Sequence, residues 1–260
     1  MVRGLYTAWT GMRNEQKRLD VISNNVANAA TTGFKTEYVT SQSFDDMLKI
    51  KVRDRSENYD TDERIGKVTL GVKIGQEYTD YDQGSLRETG NTYDLAIDGS
   101  GFFRVRVVDI RGNEHIRYTR AGNFTINNEG IIMDADGNRL QGEGGDIIVP
   151  TEAADVVIDE HGAVYANGEF VDNVDLTDFE DYKYLKKFAD TMYEPVDGAT
   201  EVENATGLIR QGYLEQSNVN VVRQMTNLIV ITRAYEANQK VIQTMDSTLD
   251  QAVNSVGRVS

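Results

Sequence analysis

The sequence predicts an α+β protein in which N- and C-terminal heptad helices pair as a coiled coil, with a mainly antiparallel β domain inserted between them. Three observations support this prediction. Apolar residues recur with heptad spacing near both ends of the chain, 19 of the 23 glycines lie between Gly66 and Gly212, and the acidic excess lies in the same middle region. With 260 residues, the chain is long enough for a hydrophobic core and for one or two domains.

The N-terminal helix is predicted from apolar residues that follow one another at steps of three and four. Six of the seven positions in this series are apolar, and the exception is Glu15. Thr31, Thr32 and Gly33 then end the helical pattern. The predicted N-terminal assembly seam consists of Leu5, Ala8, Met12, Leu19, Ile22 and Val26.

The C-terminal helix is predicted over residues 218–256, a length on the order of 60 Å. No glycine or proline occurs between Tyr213 and Val256, and Ser217, Asn218 and Asn220 are suited to cap the start of the helix. Gln224 and Asn238 are the two polar residues of the eleven-residue heptad series. The predicted C-terminal assembly seam consists of Val221, Leu228, Ile231, Tyr235, Asn238, Ile242, Met245, Leu249, Ala252 and Val256.

The middle of the chain predicts short β-strands. Apolar and polar residues alternate over 103–107 and again over 123–127, and pairs such as Asn167-Gly168 are typical of tight hairpin turns. Residues 66–212 carry 13 basic and 28 acidic side chains, whereas residues 1–65 and 213–260 are each neutral. We therefore expect a solvent-facing middle domain and neutral ends that pack against other surfaces.

These patterns divide the chain into four parts. We expect an N-terminal axial helix and signature at 1–35, a β-rich outer domain at 71–210, and a C-terminal axial helix at 211–260. Residues 36–70 are expected to form an extended arm or loop, in which 43–48 favour a short helical turn.

Composition excludes several classes of function. The chain has no cysteine and two histidines, which leaves no thiolate site and little for a histidine-based metal site. A net charge of -15 argues against nucleic-acid binding. No apolar run is long enough to span a membrane or to act as a secretory signal. The acidic run at 171–181 offers carboxylates for a carbohydrate-active enzyme, but a solvated surface explains it better. We expect no catalytic residues, no cofactor, no metal site and no small-molecule substrate.

Two segments resemble the terminal signatures of the bacterial flagellar rod and hook proteins. Residues 23–35, SNNVANAATTGFK, are similar to the N-terminal signature, and residues 211–222 and 233–240 are similar to the C-terminal one. Segments at 84–91, 94–97 and 101–103 also resemble the start of that family's β domain. The signature positions are Ser23, Asn24, Asn25, Ala27, Asn28, Thr32, Gly33, Phe34 and Lys35 in the first segment, and Gly212, Ser217, Asn218, Val219, Arg233, Ala234, Tyr235 and Glu236 in the second.

The resemblance implies a non-enzymatic structural subunit that polymerises through its terminal helices into a hollow helical shaft. Such a shaft transmits torque and conducts exported subunits. The implied partners are further copies of the chain, other rod and hook proteins, and the flagellar export apparatus. The implied location is the basal body outside the inner membrane, reached without a cleavable signal peptide.

Within the family, the length and the charged segment after Lys35 are most similar to distal rod proteins. A proximal rod or hook-type subunit is the alternative. A secreted carbohydrate-active β enzyme with helical tails is the rival from another class, and it would require a pair of carboxylates in a concave pocket.

Overall fold

The computed structural model describes residues 2–44, 47–50, 64–69, 71–109, 111–153, 155–202 and 205–256. In this part of the chain, two long helices flank an antiparallel, β-rich middle, which confirms the predicted fold class. Helix α1 spans Val2–Ala27, and helix α2 spans Val221–Gln251 and continues as a π-helical segment over Ala252–Val256.

The strands are short, and most belong to the middle of the chain. In chain order they are β1 Glu37–Ser43, β2 Met47–Ile50, β3 Arg64–Val68, β4 Val72–Thr79, β5 Leu86–Glu88, β6 Leu95–Asp98, β7 Phe102–Val108, β8 Glu114–Thr119, β9 Thr125–Ile126, β10 Ile132–Met133, β11 Arg139–Gly142, β12 Gly145–Asp146, β13 Val156–Ile158, β14 Ala163–Ala166, β15 Glu169–Asn173, β16 Leu176–Phe179, β17 Leu185–Lys187, β18 Met192–Pro195, β19 Glu201–Val202, β20 Leu208–Gln211 and β21 Tyr213–Glu215.

The chain forms two compact units. The first contains residues 1–26, 37–78 and 221–260, and the second contains residues 27–36 and 79–220. This division differs from the boundaries predicted from the sequence, because 71–78 group with the helices and 211–220 group with the β-rich unit.

In the first unit, an antiparallel ribbon accompanies the two helices. Strand β1 pairs with β4, and β2 pairs with β3. The ribbon is fixed to α1 by a 2.9 Å hydrogen bond from Asn14 Nδ2 to Ser41 Oγ and by a 2.9 Å ion pair between Lys17 and Glu77.

The ribbon corrects one prediction within 36–70. The helical turn expected over 43–48 is wrong, because β1 ends at Ser43 and β2 begins at Met47. Pairing of β2 with β3 supplies the hydrogen bonds that a six-residue helix would supply poorly, since nucleating a short helix is unfavourable. Most described residues of the predicted arm thus lie in paired strands, and residues 45–46, 51–63 and 70 lie outside the described part of the chain.

The second unit is built on an antiparallel sheet with the strand order β17-β18-β8-β7-β11-β10-β9. Strand β16 joins β7, β19 joins β16, and β12 joins β11. Strands β13, β14 and β15 form a separate sheet, and the pairs β20-β6 and β21-β5 bring the end of the unit back to its beginning.

The alternating pattern over 103–107 forms the central strand β7, as the sequence predicts. Phe103 and Val105 face the core and are fully buried, whereas Arg104 forms a 2.9 Å ion pair with Asp175. The predicted turn at Asn167-Gly168 connects β14 to β15, with φ angles of 52° and 85° that suit a type I′ hairpin. One buried cluster draws on both sheets and on the β6-β20 pair, and it comprises Leu95, Ile97, Phe103, Val105, Phe124, Ile132, Leu140, Ile147, Val149, Val156, Ile158, Val164, Ala166, Val174 and Ile209. A second buried cluster comprises Phe102, Tyr118, Phe179, Leu185 and Tyr193.

Two adjacent valines on β13 allow a matched test of the first buried cluster. Val156 is buried in it, whereas the neighbouring Val157 points to solvent. We expect Val156→Ala to lower the free energy of unfolding of the second unit by about 1.5 kcal/mol, because two buried methyl groups are lost. Val157→Ala should change it by less than about 0.5 kcal/mol. Urea denaturation followed by circular dichroism measures both, and equal effects would show that the burial of β13 is assigned incorrectly.

Candidate assembly interface

Helices α1 and α2 pack against each other in an antiparallel arrangement. Gly4 lies against the end of the Met245 side chain, and Gly11 lies against Asn238. Moving seven residues forward along α1 thus moves the contact seven residues back along α2. The same relation places residue 8 of α1 near residues 241–242 of α2. The paired helices that the two heptad patterns predict are therefore antiparallel.

Every predicted seam position whose side chain the structure describes is buried or half-buried, and in α1 Thr10, Asn14 and Asn25, which are not seam positions, are buried as well. In α1, Ala8 is buried and the other five seam residues are half-buried. In α2, Ile231 is buried with 2 % of its surface exposed, and the half-buried positions are Val221, Leu228, Tyr235, Asn238, Ile242, Met245, Leu249 and Ala252. The side chain of Val256 lies outside the described residues. Of these positions, Asn238 and Met245 lie directly against α1, at Gly11 and Gly4.

Two glycines of this helix pair escaped the sequence prediction. A Cβ atom added at Gly11 would lie 3.1 Å from Asn238 Nδ2, and one added at Gly4 would collide with the Met245 side chain. The small size of both residues allows close approach of the helices. Their separation by one heptad, next to the seam, is the sequence signal that would have identified them.

Apolar side chains also occupy the outward faces of the helix pair. On α1, Tyr6 and Trp9 are exposed and their ring centroids lie 5.8 Å apart. On α2, Val222, Met225 and Ile229 follow one another at helical spacing and are all more than half exposed. We call these two sets the aromatic patch and the aliphatic patch.

The N-terminal signature closes the turn that follows α1. The side chain of Asn25 is fully buried, and its amide exchanges two hydrogen bonds with the backbone of Glu37. Asn25 Nδ2 donates to Glu37 O at 2.8 Å, and Glu37 N donates to Asn25 Oδ1 at 3.0 Å. The asparagine amide thus imitates a strand partner and holds the end of α1 to the start of β1.

Residues 28–34 of the signature form a tight turn within the second unit. Thr31 bonds back to Asn28, and the Thr32 hydroxyl donates to Asn123 Oδ1 at 3.1 Å. Gly33 adopts a φ of +68°, and a Cβ atom there would collide with the backbone of Arg120 and Ala121. Glycine is therefore required for both its backbone conformation and its size.

Lys35 joins the N-terminal signature to the C-terminal signature through a buried ion cluster. Its ammonium group lies 2.5 Å from Glu215 Oε1 and donates to Asp82 O at 2.8 Å. Arg120 contacts the other Glu215 oxygen at 3.3 Å and donates to Gly99 O at 2.9 Å. Glu215 also accepts a 2.9 Å hydrogen bond from Gly84 N. All three charged side chains are at least 96 % buried.

Burial lowers the pKa of Lys35 from its usual value, and the attraction of Glu215 opposes that shift. Lys35 and Arg120 share the carboxylate of Glu215, which is the only carboxylate in contact with either cation among the described residues. Glu215 and Arg120 were missed as functional residues, since nothing in the sequence marks which of the 42 acidic residues is buried.

Asn218 provides a second link between the two signatures. Its Oδ1 accepts from both the amide and the hydroxyl of Thr36, at 2.8 and 2.7 Å. Its Nδ2 donates to the carbonyls of Asp80 and Asp82. Because α2 begins only at Val221, the expected capping role of Asn218 is wrong. Its side chain instead connects Thr36 to the backbone of Asp80 and Asp82.

The remaining signature residues have less specific surroundings. Gly212 has a φ of +78° and its amide donates to Asp94 O at 2.8 Å, within the pairing that closes the second unit. Phe34 is fully buried beneath Lys187. Asn24 and Val219 are half-buried, and Ser217 Oγ accepts from Val219 N. Ser23, Ala27, Arg233 and Glu236 are exposed on the helices, beside the half-buried Ala234 and Tyr235.

The site has no feature of a metal centre in the part of the chain that the structure describes, where no group of three or more His, Asp or Glu side chains converges. Neither helix in the described ranges has the length and apolarity needed to cross a bilayer.

Comparisons with known proteins agree with the terminal signatures. Three family models match: Flagella basal body rod protein at residues 5–35, Flagellar hook protein FlgE/F/G D1 domain at residues 96–166, and Flagellar basal body rod FlgEFG protein C-terminal at residues 210–255. The flagellar basal-body rod protein FlgG of Bacillus subtilis is 35% identical over 98% of this chain and 99% of its own length. The chain belongs to the flagellar basal-body rod protein family.

Other rod proteins are similar over the whole length. FlgG of Agrobacterium fabrum is 34% identical over 94% of this chain and 96% of its own, and FlgF of Caulobacter vibrioides is 32% identical over the full length of both. This rod protein is therefore a non-enzymatic structural subunit of the flagellar basal body.

The contacts of Lys35, Arg120, Glu215 and Asn218 that join the two signatures form what we call the signature junction. The buried carboxylate of Glu215 allows a direct test of this junction in the rod protein. We expect Glu215→Gln to destabilise the second unit by about 3–5 kcal/mol, because Lys35 and Arg120 would remain buried without a counter-charge. The matched control is Glu88→Gln on β5, the strand paired with β21, where the side chain is exposed. The control should change the free energy of unfolding by less than about 0.5 kcal/mol in urea titrations. A small effect of Glu215→Gln would contradict the importance of the cluster.

Proposed function

We propose that this rod subunit polymerises through its terminal helices into a hollow helical shaft that transmits torque and conducts exported subunits. The observation that carries the proposal is the presence of exposed apolar patches on both helices of the pair. Together with the seam, these patches give each helix two apolar faces, and only one of them is covered within the chain.

The positions of the patches favour an open polymer. Because the helices are antiparallel, the aromatic patch near the start of α1 and the aliphatic patch near the start of α2 lie at opposite ends of the pair. If the aromatic patch of one copy packs on the aliphatic patch of the next, the contact is heterologous, and a heterologous contact that does not close produces a helical filament. Each large side chain buried in this way contributes roughly 1.5–3 kcal/mol.

The charge distribution supports the same arrangement. The chain segments at 1–65 and 213–260 are neutral, so parallel rows of helices would not repel one another. The acidic excess lies in 66–212, which we place on the outside of the shaft, where it favours solubility.

Among rod proteins, the distal type is favoured because the FlgG relatives match at up to 35% identity. The similarity to FlgF of Caulobacter vibrioides makes another rod position the second candidate. In either case the partners are further copies of the chain, adjoining rod or hook proteins and the export apparatus. The location is outside the inner membrane, reached through the flagellar export apparatus.

Adjacent residues on α2 separate pairing within the chain from assembly between chains. We expect Ile229→Glu, in the aliphatic patch, to prevent filament formation while leaving the monomer's circular dichroism unchanged, because a carboxylate in a dry interface is costly. Gln243→Glu is the control, since it adds the same charge at an exposed site farther along α2. Electron microscopy of the concentrated proteins should show filaments for the wild type and for Gln243→Glu only.

Leu228→Glu places the charge on the seam instead, and it should reduce both helix pairing and filament formation. If Ile229→Glu formed normal filaments, the outward face would not be an assembly surface. Absence of filaments from the wild-type chain at every concentration would count against polymerisation itself.

A further inference from the structure

The second unit carries two exposed surfaces of opposite charge, and neither belongs to the terminal helices or the signature junction. The first, which we call the acidic face, is formed by Val157, Tyr165 and Phe170 with Asp155 and Asp159. The second, the lysine face, is formed by Tyr184, Lys186, Phe188 and Val196 with Lys183.

The apolar residues of the acidic face form one continuous row across the sheet β13-β14-β15. Val157 is directly opposite Tyr165, and Tyr165 is directly opposite Phe170. The rings of Tyr165 and Phe170 are in contact, with centroids 5.9 Å apart. All three residues are exposed, and Phe170 has 60% of its surface in solvent. Single exposed apolar residues are common, but an ordered row that spans three strands indicates a contact surface.

Most charged residues around this row are acidic, and the arginine beside it, Arg210, forms a 2.7 Å ion pair with Glu160. Asp155 and Asp159 lie on the same side of the chain as Val157, because side chains alternate along a strand. Between Arg139 and Lys183 the sequence contains 12 acidic residues and no lysine or arginine. A partner surface must therefore present both apolar area and positive charge.

The lysine face has this composition. Tyr184, Lys186 and Phe188 alternate with inward-facing residues along β17 and its ends, and all three are exposed. Val196 lies beside Tyr184, since its amide donates to Tyr184 O at 2.8 Å. Lys183 and Lys186 are both exposed, and Lys183 lies 3.6 Å from Asp181, whereas Lys187 points inward over the Phe34 ring. Glu194, which is opposite Lys186, is already paired with Arg117 at 3.1 Å.

We propose that the acidic face of one copy docks on the lysine face of a second copy. The match of charge and of exposed aromatic area supports this occupant, and aromatic side chains are the residues that most often carry binding energy at interfaces. The contact joins two different surfaces, so it extends an open polymer in the same way as the helix patches. The inference rests on the proposed function in that copies of this chain meet side by side, and it adds a contact between their outer units.

The absence of cysteine in the chain permits a clean crosslinking test. Val157→Cys in the acidic face and Val196→Cys in the lysine face are nearly isosteric changes at sites that are 49% and 46% exposed. Each chain carries one cysteine, so every disulfide joins two copies. The control is Val108→Cys, which is 51% exposed at the end of β7 and lies outside both faces.

Equal amounts of the two variants of the full chain are mixed, concentrated and oxidised, and the products are separated on a non-reducing gel. We expect the Val157→Cys and Val196→Cys mixture to form heterodimers at least about tenfold faster than either variant mixed with Val108→Cys. Lys186→Glu in the Val196→Cys chain should slow this reaction about tenfold, and Asp155→Lys in the Val157→Cys chain should restore it.

Electron microscopy of the same samples separates this inference from the proposed function. Filaments without the selective crosslink would overturn the docking of the two faces and leave helix-driven assembly intact. A selective, charge-dependent crosslink without filaments would support the docking and contradict the polymer. Crosslinking at the rate of the Val108→Cys control, or a rate insensitive to the charge exchange, would also overturn the docking.

Discussion

The return of the C-terminal segment to the N-terminal signature is the constraint on which the rest of the structure depends. Glu215 satisfies Lys35 and Arg120 at once, and it does so from the strand that leads into α2. Burying one carboxylate between two cations is stabilising only if the geometry is fixed. Asn218 and Gly33 supply part of that geometry, through side-chain hydrogen bonds and through a backbone turn that only glycine permits. The segment that follows α1 and the segment that precedes α2 are therefore tied together.

Helix pairing and the β-rich middle could be predicted from the sequence because both depend on repeating patterns. Every heptad position of α1 and α2 whose side chain the structure describes is buried or half-buried, and the alternation over 103–107 identified strand β7. Local turn chemistry was equally informative at Asn167-Gly168. Hydrophobic periodicity shows which face of a helix or strand is buried. It does not depend on which surface covers that face.

The junction could not be predicted from one sequence, because its members are far apart along the chain. Lys35 and Glu215 are 180 residues apart, and no local pattern distinguishes them from exposed charges. Asn218 was assigned to capping because its position before α2 suited that role, yet tertiary hydrogen bonds to Thr36 were stronger competitors. The short helix expected at 43–48 failed for a related reason, since strand pairing outweighs a weak local preference. Gly4 and Gly11 show that small residues beside a seam, like the apolar residues within it, mark where two helices pack together.

We expect a separation between a β-rich unit that is stable by itself and helices whose outward apolar faces become buried on assembly. Amide hydrogen exchange of the full chain, measured in the dilute monomer and in the filament, tests this separation most directly. We expect residues 2–27 and 221–251 to gain strong protection in the filament, while the core strands between 95 and 174 keep the protection that they have in the monomer. Equal protection of both helices in monomer and filament would contradict it, because assembly would then not involve their exposed faces.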